Sequence, residues 1–296
     1  MSIYSVKDLT DLPKANDTLV AIDSDGCVFD SMGIKQRDCF HPVIIRHWKL
    51  EAIEPQLRET AEFVNLYSKS RGQNRFTALL RVFELLPKRA DVKNTGVVTP
   101  PVEPLRAFVE SDQSLTNTGL EKELELTGDP ELERLLQWSL DVNRVIEEKV
   151  KNVPPFQWVR EALEKISATS DRIVCSQTPE DALIREWKEN GIEHFVSVIA
   201  GQELGTKAEH IKLASKGKYD GLHVLMIGDA PGDFKAAEAN DALFFPVVPG
   251  NEEASWKRLV DEAYDRFLSG EYAGAYQDDL LSEFDESLPD DPSWDQ

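Results

Sequence analysis

Much that would direct this 296-residue chain towards a membrane or the cell exterior is missing. No apolar run approaches the roughly 18–20 residues that a membrane span needs, and the opening MSIYSVKDLTDLPKAN has no apolar signal-peptide stretch. Cysteine is scarce. Cys27, Cys39 and Cys175 form no metal-ligand spacing and are too few for a disulfide framework, so a reducing cytoplasm is the expected setting. Positive charge is also short: 33 Lys+Arg against 54 Asp+Glu leave a net charge of −21. Nucleic-acid affinity comes mainly from neutralising phosphates with Lys and Arg, so a polyanion partner is excluded. Internal repeats and low-complexity tracts are absent, apart from the acidic end SEFDESLPDDPSWDQ, which reads as a frayed terminus. What is present is the 41% hydrophobic and 29% charged composition of a globular protein with a core. At roughly 100–200 residues per domain, the length suits two domains.

The charge is unevenly spread. Gly33–Thr95 holds twelve basic and seven acidic residues, a net of +5, whereas Gly96–Pro155 holds six and twelve, a net of −6. Asn251–Gln296 holds three basic and fourteen acidic residues and so contributes −11 of the total. A basic segment inside an acidic protein is where an anionic small molecule can be held against the overall repulsion, although charge runs also serve simply as solvated faces.

Hydrophobic patterning divides the chain in three. Thr18-Leu-Val-Ala-Ile22 is a short β-rich run that ends in acidic residues, as a buried strand does. From about Lys35 to Val150 apolar residues recur at three or four, in HPVIIRHWKLEAI, LRETAEFVNLYSK, RFTALLRVFELL, PVEPLRAFVES and ELERLLQWSLDVNRVIEEKV, which predicts helices. Strands then return at Arg172–Ser176, Phe195–Ala200, His223–Ile227 and Ala242–Val248, with helical patterns such as PEDALIREWKENG and KAEHIKLASKG between them. Those two helices should stop at Gly191 and Gly217, because glycine tolerates the left-handed turn that closes a helix. Strand–helix–strand alternation of this length implies right-handed crossovers and a parallel sheet covered by helices on both faces. The long helical block is therefore a second domain inserted after the first strand.

In open parallel sheets, ligands sit at the carboxyl ends of the strands. The first strand is followed by Asp23-Ser-Asp25-Gly-Cys-Val-Phe-Asp30, the second by Ser176-Gln-Thr178 and the fourth by Gly228-Asp229-Ala-Pro-Gly-Asp233. Asp-Gly and Pro-Gly-Asp are ordinary turn formers. Four carboxylates at one sheet edge nevertheless repel unless a positive charge sits among them, and a hard divalent cation such as Mg²⁺ prefers oxygen ligands. Thr206 with Glu209 three residues later is a capping-box signature, so a helix should start there with Lys207 in its first turn. A helix start with free N–H groups and an ammonium suits an anion, although a solvated lysine has the same sequence.

Taken together, DSDGCVFDS, Ser176, Lys207 and GDAPGD resemble the haloacid dehalogenase-like (HAD) phosphohydrolase superfamily. The resemblance covers about residues 18–31 and 156–250. It implies a doubly wound, Rossmann-like α/β core made of residues 1–31 and 156–250, an all-helical cap at 32–155, and an acidic helical extension at 251–296. It further implies phosphoryl transfer through an aspartyl-phosphate, with Asp23 as nucleophile and Asp25 as general acid/base that also offers a backbone carbonyl to Mg²⁺. Ser176 and Lys207 match the phosphate-binding hydroxyl and ammonium; Asp229 and Asp233 match the remaining metal carboxylates. Aspartate at position 25 separates the chain from the dehalogenase branch of that family.

The residue types suit this chemistry. A carboxylate needs no deprotonation to attack but must approach a dianion, and Mg²⁺ and Lys207 offset that repulsion. Departures from the family pattern are Cys27 in place of the commoner threonine, a polar Ser24 where relatives often carry an apolar residue, and Ala208 where many have proline. Thr178 competes with Ser176 as the second-strand hydroxyl; Ser176 is preferred because it directly ends the apolar run.

The expected activity is a Mg²⁺-dependent phosphatase acting on a small phosphorylated metabolite. A sugar phosphomutase and a non-catalytic binding protein are the alternatives. A phosphonate-cleaving variant needs a cap lysine, and nothing singles out Lys35 or Lys49. For substrate choice the segment Ser70-Arg-Gly-Gln-Asn-Arg75 stands out, with Arg71 and Arg75 able to meet a phosphate or carboxylate bidentately.

Overall fold

The structure, a computed structural model, describes residues 3–295. After a short helix at Val6–Thr10 comes strand β1 (Leu19–Ile22). Six helices of seven residues or more follow: α1 (His41–Trp48), α2 (Glu54–Leu66), α3 (Arg75–Leu85), α4 (Glu103–Val109), α5 (Asn117–Thr127) and α6 (Pro130–Lys149). The remainder alternates: α7 (Val159–Thr169), β2 (Asp171–Cys175), α8 (Glu180–Glu189), β3 (Val198–Ala200), α9 (Lys207–Ser215), β4 (Val224–Gly228), α10 (Pro231–Glu238) and β5 (Leu243–Pro246). Helices α11 (Glu252–Arg258) and α12 (Ala275–Ser287) follow, with a π-helical turn at Leu259–Ala263 and a short helix at Tyr264–Ser269 between them. Among the described residues no helix is long and apolar enough to cross a membrane.

The chain divides into two compact units, residues 1–32 with 152–288 and residues 33–151 with 289–296. The first is an α/β unit. Its five strands are all parallel in the order β3-β2-β1-β4-β5, with Ile22 level with Val174 of β2 on one side and Ile227 of β4 on the other. Strand side chains alternate between faces. Leu19, Ala21, Ile173, Cys175, Val224, Met226 and Phe244 form one layer with Ile211 of α9, Ala236 and Ala237 of α10 and Phe284 of α12. The alternate residues Val20, Ile22, Val174, Leu225 and Ile227 are buried as well, so the sheet is covered on both faces and reads as near-continuous apolar runs. The chain runs from β1 outward through β2 to β3, then crosses back to β4 on the other side of β1 and on to β5, which puts the reversal of strand order between β1 and β4.

Several expectations need adjustment. The run at Phe195–Ala200 yields a strand only from Val198, because Glu193–Phe195 winds into a 3₁₀ turn that buries Phe195. The acidic end does not begin as a frayed segment, and Gln296 lies outside the described residues. Ser282–Ser287 lies within α12, and Phe284 and Leu288 are in the core of the sheet unit. Nor is 251–296 a separate extension: residues up to Leu288 group with the sheet, and those from Pro289 with the helices. Buried apolar anchors decide this placement, and the surrounding acidic residues remain in solvent.

The helical unit is organised by Trp138 of α6, which is wholly buried with Phe40, Trp48 and Phe76 at ring-centroid distances of 5.9, 6.0 and 6.2 Å. Helix α6 begins on Asp129, whose carboxylate accepts the Glu131 N–H at 2.8 Å, with Pro130 at the first position. Pro289, Asp290 and Trp294 pack on this unit. The Pro289 carbonyl accepts the Lys69 N–H, the Asp290 carbonyl accepts from Arg81, and the Trp294 ring lies 5.3 Å from Phe63 and 4.5 Å from the Arg89 guanidinium.

Candidate active site

The ladder between β1 and β4 continues one residue past the strand: Asp23 N–H donates to the Ile227 carbonyl at 2.9 Å. This holds Asp23 at the carboxyl edge of the sheet, where it is 4% exposed. The chain then turns. The Ser24 carbonyl accepts the N–H groups of Cys27, Val28 and Phe29, and Gly26 takes the left-handed conformation (φ 81°) that such a turn needs. Because of this turn Asp25 does not point with Asp23. Its carboxylate accepts hydrogen bonds from the hydroxyls of Ser31 and, at 2.5 Å, Thr178. Ser24, unusually polar for its place, accepts from the buried Trp187 indole at 3.0 Å.

Across the strand reversal, β4 ends in Gly228 and Asp229. A Cβ on Gly228 would lie 2.4 Å from Cβ of Asp233, so glycine is what lets that side chain fold back. Asp233, in the first turn of α10, accepts the N–H groups of Asp229 and Ala230 on Oδ2, at 3.1 and 3.0 Å. Its Oδ1 accepts from Lys207 Nζ at 2.5 Å. Lys207 begins α9 behind the capping box read from the sequence: Thr206 Oγ1 accepts the Glu209 N–H, and Glu209 Oε2 accepts the Thr206 N–H. From that position Nζ also lies 2.8 Å from Asp23 Oδ2. One ammonium therefore bridges two buried carboxylates that come from strand ends about two hundred residues apart.

Asp23, Asp229 and Asp233 each offer an oxygen within 4.8 Å of the others, and all three are buried. Asp23 Oδ1 accepts no hydrogen bond from the described residues. Three carboxylates against one ammonium leave excess negative charge, and an all-oxygen donor set is what Mg²⁺ prefers. The residues fit such a cation. Asp25 is not among these carboxylates, since its side chain is engaged by Ser31 and Thr178.

Burial pushes the Asp23 carboxyl above the usual carboxylate range; Lys207 pulls it back, and Asp233 and Asp229 add to the push. For Lys207, burial opposes the charge, but the Asp23 and Asp233 carboxylates outweigh it and hold the ammonium well above the ordinary lysine range. The Cys27 and Cys175 thiols are pushed well up, first by burial, and stay protonated. Cys27 Sγ points at the Ile227 carbonyl at 3.8 Å as a weak donor.

Ser176 follows β2 at the same sheet edge; its N–H donates to the Ala200 carbonyl, and its Oγ accepts the Thr178 N–H at 3.2 Å. The two cap arginines have separate surroundings, both within the helical unit. Arg71 is 5% exposed and donates to the Leu66 carbonyl at 2.9 Å, so it secures the end of α2 and is not a surface group. Arg75 donates to Ser139 Oγ and Asn143 Oδ1 at 3.0 and 2.8 Å and lies 5.4 Å from the Phe40 ring centroid. Burial brings the pKa of its guanidinium down to about 10, and its hydrogen-bond partners, Ser139 and Asn143, are neutral. The contacts of Asp25 with Ser31 and Thr178 have no local sequence signature, since they depend on how the turn after β1 meets the loop after β2.

No family model matches the chain, and no curated protein matches it. Among solved structures it is similar to a haloacid dehalogenase-like family hydrolase from Streptococcus pneumoniae, at 15% identity over 90% of this chain and 98% of that one, with a TM-score of 0.44. It is similar to a haloacid dehalogenase-like family hydrolase from Xanthomonas campestris, at 12% identity over 86% and 97% of the two chains, with a TM-score of 0.42. A proposed HAD-hydrolase from Bacillus subtilis bound to magnesium shares 13% identity over 83% of this chain and 99% of that one, with a TM-score of 0.46.

Proposed function

We propose that the chain is a Mg²⁺-dependent phosphatase that hydrolyses a small phosphomonoester through an aspartyl-phosphate on Asp23. The observation that carries this reading is the Lys207 ammonium held between Asp23 and Asp233, beside Asp229, at the carboxyl edge of the two central strands. The three unpaired, buried cysteines support a reducing, cytoplasmic setting.

An Asp23 carboxylate oxygen attacks phosphorus, a P–O bond forms, and the bond to the leaving alkoxide breaks. Asp25 gives that oxygen a proton, then takes one from the water that attacks the aspartyl-phosphate, so that inorganic phosphate leaves and Asp23 is restored. Lys207 neutralises charge on Asp23 and on the phosphoryl oxygens, and the Ser176 hydroxyl donates to one of those oxygens. Asp23, Asp229 and Asp233, with the Asp25 backbone carbonyl, would hold Mg²⁺. Once bound, the ion supplies Lewis-acid stabilisation of the phosphoryl charge.

The test is phosphate release from a panel of phosphorylated metabolites, with and without Mg²⁺, by the wild type and Asp23→Asn. Turnover should need Mg²⁺ and disappear in Asp23→Asn; with an aryl phosphate, whose leaving group needs no proton, Asp25→Asn should trap a phosphate on the peptide containing Asp23. Wild-type silence across the panel, or activity retained in Asp23→Asn, overturns the reading.

A further inference from the structure

We infer that Thr178 is a positioning residue for Asp25: its hydroxyl fixes the carboxylate in the place from which the proposed acid/base steps proceed. The inference rests on the phosphatase reading for its kinetic meaning, but the contact that carries it is independent of that reading. Thr178 Oγ1 donates to Asp25 Oδ2 at 2.5 Å, and Ser31 takes Oδ1, so each carboxylate oxygen has its own hydroxyl donor.

Asp25 needs such anchoring. It lies in a turn after β1 with left-handed Gly26 next to it, outside the ladder that holds Asp23, and its side chain is only partly buried. A carboxylate in that setting rotates freely unless its oxygens are engaged. Thr178 is itself well fixed. Its N–H donates to Ser176 Oγ at 3.2 Å, its carbonyl accepts the Gln202 N–H at 3.2 Å, and Pro179 follows it at the start of α8. The preceding Gln177 ties the same loop to the Gly205 carbonyl at 3.0 Å, just ahead of α9 and Lys207.

The loop after β2 thus carries two hydroxyls with different tasks, two residues apart. Ser176 is placed for the phosphoryl group, and Thr178 for the group that moves the proton. The Ser176 Oγ contact with the Thr178 N–H couples the two positions, so the distance between phosphate and acid/base is set by one short loop. A displacement of about 1 Å in such a group can cost on the order of 100-fold in rate.

Two substitutions separate this role from simple packing. Thr178→Val keeps the shape and removes the hydroxyl; Thr178→Ser keeps the hydroxyl. On the substrate found for the wild type, Thr178→Val should lower kcat by about 10- to 100-fold, a part of the roughly 10²–10⁴ that acid/base catalysis supplies, with KM within about twofold. With an aryl phosphate, whose leaving group needs no proton, more aspartyl-phosphate should be trapped by acid quench in Thr178→Val than in wild type, because its hydrolysis needs Asp25. Thr178→Ser should stay within about threefold of wild type. Crystal structures of wild type and Thr178→Val provide the readout that needs no activity: Asp25 should occupy one rotamer in the first and a shifted or split position in the second. An unmoved Asp25 in Thr178→Val overturns the inference, as does equal loss in Val and Ser variants. A wild type that releases no phosphate overturns the phosphatase reading instead, and the crystallographic comparison still decides whether Thr178 positions Asp25.

Discussion

The Trp187 indole N–H donates to Ser24 Oγ at 3.0 Å, and both residues are wholly buried. Ser24 stands between Asp23 and Asp25, so a helix that contributes no carboxylate to the site still holds the loop that carries two.

Ser24→Ala leaves that indole N–H buried without an acceptor, a loss of about 1–3 kcal/mol. Urea unfolding should show a lower midpoint with an unchanged slope. Adding Trp187→Phe should cost less than the two single changes summed, because the second removes the group the first left unpaired. Strict additivity would mean that the contact contributes nothing.

Millimolar Mg²⁺ should raise the melting temperature of metal-free protein, since it binds the folded carboxylate cluster and not the unfolded chain; at a hundredfold excess over Kd the gain is about 2.7 kcal/mol. In Asp229→Ala the rise should shrink or vanish. Differential scanning calorimetry with and without Mg²⁺ checks both, and an indifferent wild type would falsify the metal assignment.

His41 sets a pH dependence. Burial, then Arg58 and Arg37, lower its pKa from 6.5 to about 3. Between those values the unfolded chain binds a proton that the folded chain does not. The contribution to stability is intact above pH 6.5 and is lost progressively as pH falls towards 3. From pH 7 to pH 5 one such histidine accounts for roughly 2 kcal/mol of lost stability. Denaturation at the two pH values should show a smaller drop in His41→Phe than in wild type; equal drops would point to other groups.

Trp294→Ala removes the ring that lies against Phe63 and the Arg89 guanidinium, contacts together worth about 1–2 kcal/mol. Hydrogen exchange should accelerate in α2 and around Arg89 while the β1–β4 ladder keeps its protection. Faster exchange in the ladder, or none anywhere, would contradict this placement of the final residues.

Local patterns carried much of the architecture. Short apolar runs ending in aspartate or serine marked β1, β2 and β4, and Thr206 with Glu209 marked the start of α9. Gly191 and Gly217 do adopt the left-handed conformation, at φ 60° and 74°. Strand-end position was also enough to gather Asp23, Asp229 and Asp233. What escaped the sequence depends on contacts between distant segments. Nothing near Asp25 indicates that Thr178, 153 residues on, will engage its carboxylate, or that Trp187 will reach Ser24. Arg71 looked like an exposed contact because its acceptor is a backbone carbonyl, which has no residue signature. In the acidic end, charge density concealed Phe284, Leu288 and Trp294, three apolar anchors that outweigh it.

The three chain crossings between the units, near residues 32, 151 and 288, also prescribe an order of assembly on the ribosome. β1 emerges first but has no pairing partner until β2 and β4 have been made, well after the helices between them. Those helices can pack around Trp138 at once, yet the surface at Phe63 and Arg89 stays uncovered until Trp294 is synthesised. Each unit thus waits on a late segment, α12 with Phe284 and Leu288 for the sheet and Trp294 for the helices.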